Sequence, residues 1–233
     1  MSEPASRPDA ALPMTEPRRA RFGSLLKQLF FAAAVRPVVL VILGLNVRRR
    51  QLLPEAGPAV IVANHNSHLD TLTLMSLMPL ALLPKVRPVA AADYFMTGGL
   101  KGFIANELVG IIPIVRGGNR ERDPLEPCKQ ALKRGEILIL FPEGTRGEPE
   151  RLSSFKRGVA HLAGAFPEVP VVPVFTHGLG KALPKGSWLL VPFFCDIFVG
   201  ESFRWPGAID TFMATLEARI SGLASEGRFP PWT

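Results

Sequence analysis

Much of what would point to other kinds of protein is missing from this chain of 233 residues. It has two cysteines, Cys128 and Cys195, far apart and in no metal-binding or redox spacing, which reads as reduced cytoplasmic thiols without a functional role. It has one tyrosine, and its basic residues are scattered through apolar stretches, so there is no aromatic-plus-basic platform for stacking bases. Nucleic acid is therefore not expected as a partner. No Walker-type loop and no dinucleotide glycine fingerprint occurs, so no nucleotide-phosphate cradle is indicated. There is no internal repeat and no low-complexity segment after the first residues.

What is present is apolar and basic. Hydrophobic residues make up 47% of the chain, and 27 Lys and Arg against 20 Asp and Glu leave a net charge of +7. A mean hydropathy of +0.21 is high for a soluble enzyme. The charge draws the protein to anionic surfaces, and a membrane face fits better than nucleic acid. The length allows one large α/β domain with a substantial core.

The N-terminal part divides by composition. Residues 1–21 are rich in Pro, Ala, Ser and acidic residues, end in Arg18, Arg19 and Arg21, and are expected to be a disordered tail with a basic end. An apolar stretch then runs from Phe22 to Val47 and is closed by Arg48, Arg49 and Arg50. A secretory signal would cleave near Ala32-Ala33-Ala34, but Lys27 shortens its apolar core and the leader is too long. One spanning helix is interrupted by Lys27, Arg36 and Pro37. Two short helices lying in the interface, broken near Arg36-Pro37, accommodate those charges better, with basic residues toward lipid phosphates. A helical pair packed on the domain's own core is the alternative. The expected organisation is thus a tail (1–21), a membrane-associating helical segment (22–50) and a catalytic domain (51–233).

Strands and helices then alternate. Pro58–Ala63 is a short apolar run suited to a buried strand, followed by the turn and N-cap types Asn64, Asn66 and Ser67 and by a helix ending near Pro79. Further strands are expected at Arg87–Ala92, Val109–Val115, Glu136–Phe141, Val169–Phe175 and within Leu189–Val199. The prolines of Val169–Phe175 suggest an edge or a strand end. Tyr94–Glu107 reads as irregular helix or loop, and helices are expected at Pro124–Arg134, capped by Gly135, at Phe155–Ala165 and at Ile209–Ile220. The pattern implies an α/β fold: a mostly parallel central sheet flanked by helices on both faces, with an N-terminal membrane-interfacial helical segment. Turns after the strands at Asn64, Arg116 and Pro142 would gather on one rim, where open α/β sheets place their sites.

Two of those turns carry chemistry. In Asn64-His65-Asn66-Ser67-His68-Leu69-Asp70, a His on the turn and an Asp in the first helical turn can meet. An imidazole oriented by a carboxylate can take a proton from a hydroxyl at neutral pH. In Phe141-Pro142-Glu143-Gly144-Thr145-Arg146, Arg146 can bind a phosphate in a planar fork, Gly144 allows close backbone approach and Thr145 offers a hydroxyl. Lys156 and Arg116 are further candidates for the same anion. His65, His68 and Asp70 could instead begin a metal site, giving a metal-dependent hydrolase as an alternative, but His161 and His177 are isolated and no second cluster supplies more ligands. No metal is expected.

These segments resemble the glycerolipid acyltransferase family, in particular 1-acylglycerol-3-phosphate acyltransferases. Asn64–Asp70 matches the family's first block, Ile112-Pro113-Ile114-Val115-Arg116 resembles the second, Phe141–Arg146 matches the third and Val169–Val174 the fourth. The resemblance covers roughly residues 55–205. It implies transfer of a fatty acyl group from acyl-CoA or acyl carrier protein to the free hydroxyl of a lysophospholipid, with 1-acylglycerol-3-phosphate giving phosphatidate as the first expectation. Another lysophospholipid or a lyso-aminolipid is the alternative acceptor. It implies a catalytic dyad of His65 and Asp70, acceptor binding by Arg116, Glu143, Gly144, Thr145, Arg146 and Lys156, and no cofactor. It also implies membrane lipids as partners, at the cytoplasmic face of the inner membrane.

Overall fold

The computed structural model describes residues 16–92, 103–115, 123–145, 152–183 and 190–229. In chain order they form helices α1 (Glu16–Phe30) and α2 (Arg36–Ile42), strands β1 (Gly44–Arg48) and β2 (Ala59–Ala63), helix α3 (His68–Leu77), and strands β3 (Val86–Ala91) and β4 (Ile112–Ile114). Helix α4 (Glu126–Lys133), β5 (Ile137–Leu140), α5 (Gly158–Ala165), β6 (Val171–His177), α6 (Leu179–Ala182), β7 (Phe194–Val199) and α7 (Ile209–Glu226) follow. The sheet order is β1-β7-β6-β2-β5-β3-β4. From β6 to β4 every pairing is parallel, while β7 runs antiparallel to β6 and β1 parallel to β7.

Alternation along the strands feeds two cores. Ala59, Ile61 and Ala63 of β2, Ile137 and Ile139 of β5, and Val172 and Val174 of β6 point to one face, with α2 and α3. Val60, Val62, Leu138, Val171 and Phe198 point to the other, with α4, α5 and α7. The expected sheet with helices on both faces is the one observed. Because β2, β5 and β3 all run one way, the turns after β2 and β5 open on the same rim.

Several expectations change. The helix does not break at Arg36-Pro37. A five-residue π-helical stretch, Phe31–Val35, joins α1 to α2, and the Arg36 N–H bonds Phe31 O. The wider turn accommodates Pro37, which has no N–H and whose ring would crowd the carbonyl four residues earlier. Helix also does not continue to Arg50, since Gly44–Arg48 is strand β1, paired with β7. Of Val109–Val115 only Ile112–Ile114 is strand; Val109 ends a π-helical turn and Gly110 reverses the chain at φ +73°. Residues 93–102 of the expected irregular stretch lie outside the described residues. Strand β6 is interior, not an edge. Pro173 is tolerated there because the β6–β7 ladder starts one residue later, at Val174, and its carbonyl accepts the Gly200 N–H at 2.9 Å.

Lys27 and Arg36 of the N-terminal helices turn toward the protein rather than outward. Lys27 is buried, with Nζ donating to Val86 O and Val109 O, both at 2.8 Å. Arg36 donates to Ser76 O and Met78 O, and Arg50 to Leu77 O, so two guanidiniums neutralise the carbonyl end of α3. With these charges turned inward, the large side chains exposed along Gly23–Ile42 are apolar: Leu25, Leu29, Val38, Leu40 and Val41. The stretch Gly23–Ile42, at a hydropathy of 1.9, is long and apolar enough to cross a membrane by length and composition.

Burial, reinforced by Arg87 and opposed by Glu136, lowers the Lys27 ammonium from 10.5 to about 7. Between those values the unfolded chain holds a proton that the folded chain releases, so stability rises with pH across that window. Lys27→Met should therefore flatten the rise in urea midpoint between pH 7.5 and 10 relative to the wild type; parallel profiles would contradict the buried ammonium.

Candidate active site

The chain leaves β2 at Ala63 and enters α3 at His68, and the four residues between are held closely. Asn64 is buried and clamps β6: its Nδ2 donates to Thr176 O at 2.8 Å while its Oδ1 accepts the Thr176 N–H at 2.7 Å. Ser67 is the N-cap of α3. Its Oγ accepts the Leu69 N–H at 3.3 Å and donates to Leu183 O, just past α6, at 3.0 Å. Asp70 stands at the third helical position, where an acidic side chain reaches back to satisfy the free N–H groups of a helix start.

That placement creates the dyad. Oδ2 of the fully buried Asp70 accepts the Asn66 N–H at 2.7 Å and the Ser67 N–H at 2.8 Å, and lies 3.0 Å from His65 Nδ1. Oδ1 is buried and has no hydrogen-bond partner. A carboxylate on Nδ1 fixes the tautomer with the proton there and leaves Nε2 as the basic atom. The ring of Phe141 stacks on the imidazole at 4.2 Å, with planes 23° apart. The His65 side chain stays 17% accessible, enough to meet a substrate.

The third block arrives from the neighbouring strand. Strand β5 pairs with β2 up to Val62↔Leu140, so the turn after β5 lies beside His65. Glu143 is 2% exposed, and its Oε1 accepts the His65 backbone N–H at 3.0 Å. Burial raises the Glu143 carboxyl above the ordinary carboxylate range, against the pull of the His65 N–H and of Ser153. Gly144 sits at φ +70°, a backbone conformation that favours glycine, and Lys156 Nζ overlies it, 2.9 Å from where a Cβ would stand. The Lys156 N–H donates to Pro142 O at 2.8 Å, which holds this lysine over the turn. Thr145 and Lys156 are exposed on the rim.

Thus His65, Asp70, Glu143, Gly144 and Lys156 come together, with Thr145 beside them. Arg116 and Arg146 lie outside the described residues. Strand β4, which leads to Arg116, is three places from β2 in the sheet, about 14 Å at ordinary strand spacing. His68 is exposed on the first turn of α3, and among the described residues no three His, Cys, Asp or Glu side chains converge as metal ligands. Beside Phe141 opens a cleft of about 760 Å³, floored by Val89, Ile114 and Leu140 and edged by Lys129, Lys156 and His161. Cys128 and Cys195 are buried and in no disulfide, and burial pushes the Cys128 thiol up to about 12.

Asn64 as a clamp and Phe141 as the face of the base were not read from sequence. Asn64 reads only as a turn residue because its partner, Thr176, is 112 positions away. Phe141 looked like the last residue of an apolar strand.

Residues 44–177, more than half of the chain, match the Acyltransferase family model. The chain belongs to that family. It is 33% identical over 174 residues to a chloroplastic 1-acyl-sn-glycerol-3-phosphate acyltransferase of Arabidopsis thaliana, covering 74% of this chain and 46% of that protein. It is 33% identical over 133 residues to the human 1-acyl-sn-glycerol-3-phosphate acyltransferase alpha, covering 55% and 44%. The chain therefore spans about half the length of these curated relatives. The crystal structure of the 1-acyl-sn-glycerophosphate acyltransferase PlsC of Thermotoga maritima shares the fold, with a TM-score of 0.68 at 21% identity over 92% of this chain and 84% of that one. These likenesses give no support to the hydrolase alternative.

The three bonds on one oxygen predict the response to Asp70→Asn. The amide keeps the shape but loses the charge and buries an NH2 group where Oδ1 has no partner. Stability in chemical denaturation should fall by about 1–3 kcal/mol. A variant as stable as the wild type would contradict this arrangement.

Proposed function

We propose that this acyltransferase moves a fatty acyl group from acyl-CoA or acyl carrier protein to the hydroxyl of a lysophospholipid, with 1-acylglycerol-3-phosphate as acceptor and phosphatidate as product. The observation that carries this is the His65–Asp70 contact of 3.0 Å on a rim shared with an exposed, glycine-seated lysine. The names of the relatives support the choice of acceptor.

His65 Nε2 takes the hydroxyl proton as the acceptor oxygen attacks the thioester carbonyl. The tetrahedral intermediate collapses, the carbon–sulfur bond breaks, and the imidazolium returns its proton to the leaving thiolate. Asp70 orients the ring and stabilises the imidazolium. General base action of this kind is worth about 10² to 10⁴ in rate. No redox change occurs, and the reaction as written uses no cofactor. Lys156 and Thr145, with Arg146 and Arg116, hold the acceptor phosphate. The apolar cleft beside Phe141 suits the acyl chain.

Work at a membrane surface follows from the apolar outer side that Gly23–Ile42 presents. Its inner side is committed to the core through Phe31, Val35 and Val39, and Lys27 and Arg36 are committed to backbone carbonyls. Lying in the interface with the outer side in lipid satisfies both. Residues 22–43 are then the membrane-associating segment, and β1 belongs to the catalytic domain. The two buried cysteines, in no disulfide, suit the reducing cytoplasmic side.

The test is a panel of lysolipid acceptors offered with one labelled acyl-CoA. Label should enter phosphatidate, with a chelator making no difference. An acceptor without phosphate forgoes charge-assisted hydrogen bonds of about 1.5–3 kcal/mol, so it should react at least roughly tenfold more slowly. Preferential acylation of a lyso-aminolipid, or loss of activity on chelation, would contradict the proposal.

A further inference from the structure

The Phe141–Arg146 turn reads from sequence as an acceptor-binding loop, with Glu143 as one of its contacts. The geometry divides that loop into two parts. Thr145 and Lys156 face solvent, whereas Glu143 is 2% exposed and turned away from them. Its Oε1 accepts the backbone N–H of the proposed general base, 3.0 Å from His65 N, and Ser153 bonds the same carboxylate.

The reason lies in the sheet. The β2–β5 ladder ends at Val62↔Leu140, and beyond it the two chains turn apart, β2 into the dyad turn and β5 into Pro142-Glu143-Gly144. Past that point the His65 N–H meets no main-chain acceptor on β5; the Glu143 carboxylate stands in for one. A buried N–H that loses its acceptor costs about 1–3 kcal/mol, which is enough to let a turn shift. His65 is then held from three directions. Asp70 fixes Nδ1, the Phe141 ring covers one face, and Glu143 fixes the backbone from which the side chain projects.

We propose that Glu143 is a positioning residue for the His65 base rather than a contact of the acceptor lipid. This rests on the acyl-transfer reading above. It requires only a hydrogen-bond acceptor at Oε1, not a negative charge directed at substrate.

The experiment compares Glu143→Gln and Glu143→Ala in the full chain, with acyl-CoA and lysophosphatidate as substrates. The carboxamide oxygen of Glu143→Gln can still accept the His65 N–H, so this variant should keep most of the wild-type kcat. Glu143→Ala should lose kcat by about 10- to 100-fold, the penalty of a slightly misplaced reacting group, with KM for lysophosphatidate unchanged. An acceptor-binding role would instead raise that KM in both variants, and a role for the charge would disable both equally; either result overturns the proposal. A Glu143→Ala protein that melts earlier but turns over normally below its melting point also overturns it. The amide proton of His65, followed by NMR, is read without turnover: it should sit downfield in the wild type and in Glu143→Gln and move upfield in Glu143→Ala. An unmoved amide refutes the positioning contact, whereas a wild type with the downfield amide and no acyl transfer refutes only the parent reading.

Discussion

One carboxylate oxygen, Oδ2 of Asp70, receives the N–H groups of Asn66 and Ser67 and faces His65 Nδ1. The first two contacts belong to helix formation, since α3 must satisfy its free N–H groups, and the third belongs to chemistry. The same atom therefore starts the helix and, in the proposed reaction, orients the base. The rest of the fold holds both ends of that helix in place. At the front, Ser67 reaches Leu183 and Asn64 grips Thr176. At the back, Arg36 and Arg50 occupy the carbonyls of Ser76, Leu77 and Met78.

Arg36 also ties the dyad helix to the N-terminal helices. A basic residue in a stretch otherwise apolar reads as a charge meant for lipid phosphates. Here Lys27 and Arg36 are committed to backbone carbonyls, which leaves the outer side of Gly23–Ile42 apolar. The π-helical turn at Phe31–Val35 lets Pro37 stay within a continuous helix, so the apolar outer side is not interrupted. The segment acts as a wall of the catalytic domain on one side and as a greasy surface on the other.

The strongest sequence signals were those whose physics is local. The Asn64–Asp70 turn was legible because strand, N-cap and first-turn acid lie within a dozen residues. Gly135 after α4 and the buried run Ile137–Leu140 were legible for the same reason. What stayed hidden depended on distant partners. Gly44–Arg48 continues an apolar run and becomes a strand only because β7 lies alongside it. The interior position of β6 runs against its prolines, and only the start of the β7 ladder after Pro173 resolves the conflict. Glu143 was visible as part of a charged turn, but its direction, toward the backbone of His65, depends on where the β2–β5 ladder stops.

The account stands on His65 as the base for a direct transfer. The most direct measurement is the acyl-transfer rate of His65→Ala beside its binding to anionic vesicles. The rate should fall by about 10² to 10⁴, while vesicle binding, which belongs to α1–α2, stays at the wild-type level. A variant that transfers acyl groups at a near-normal rate would contradict the account.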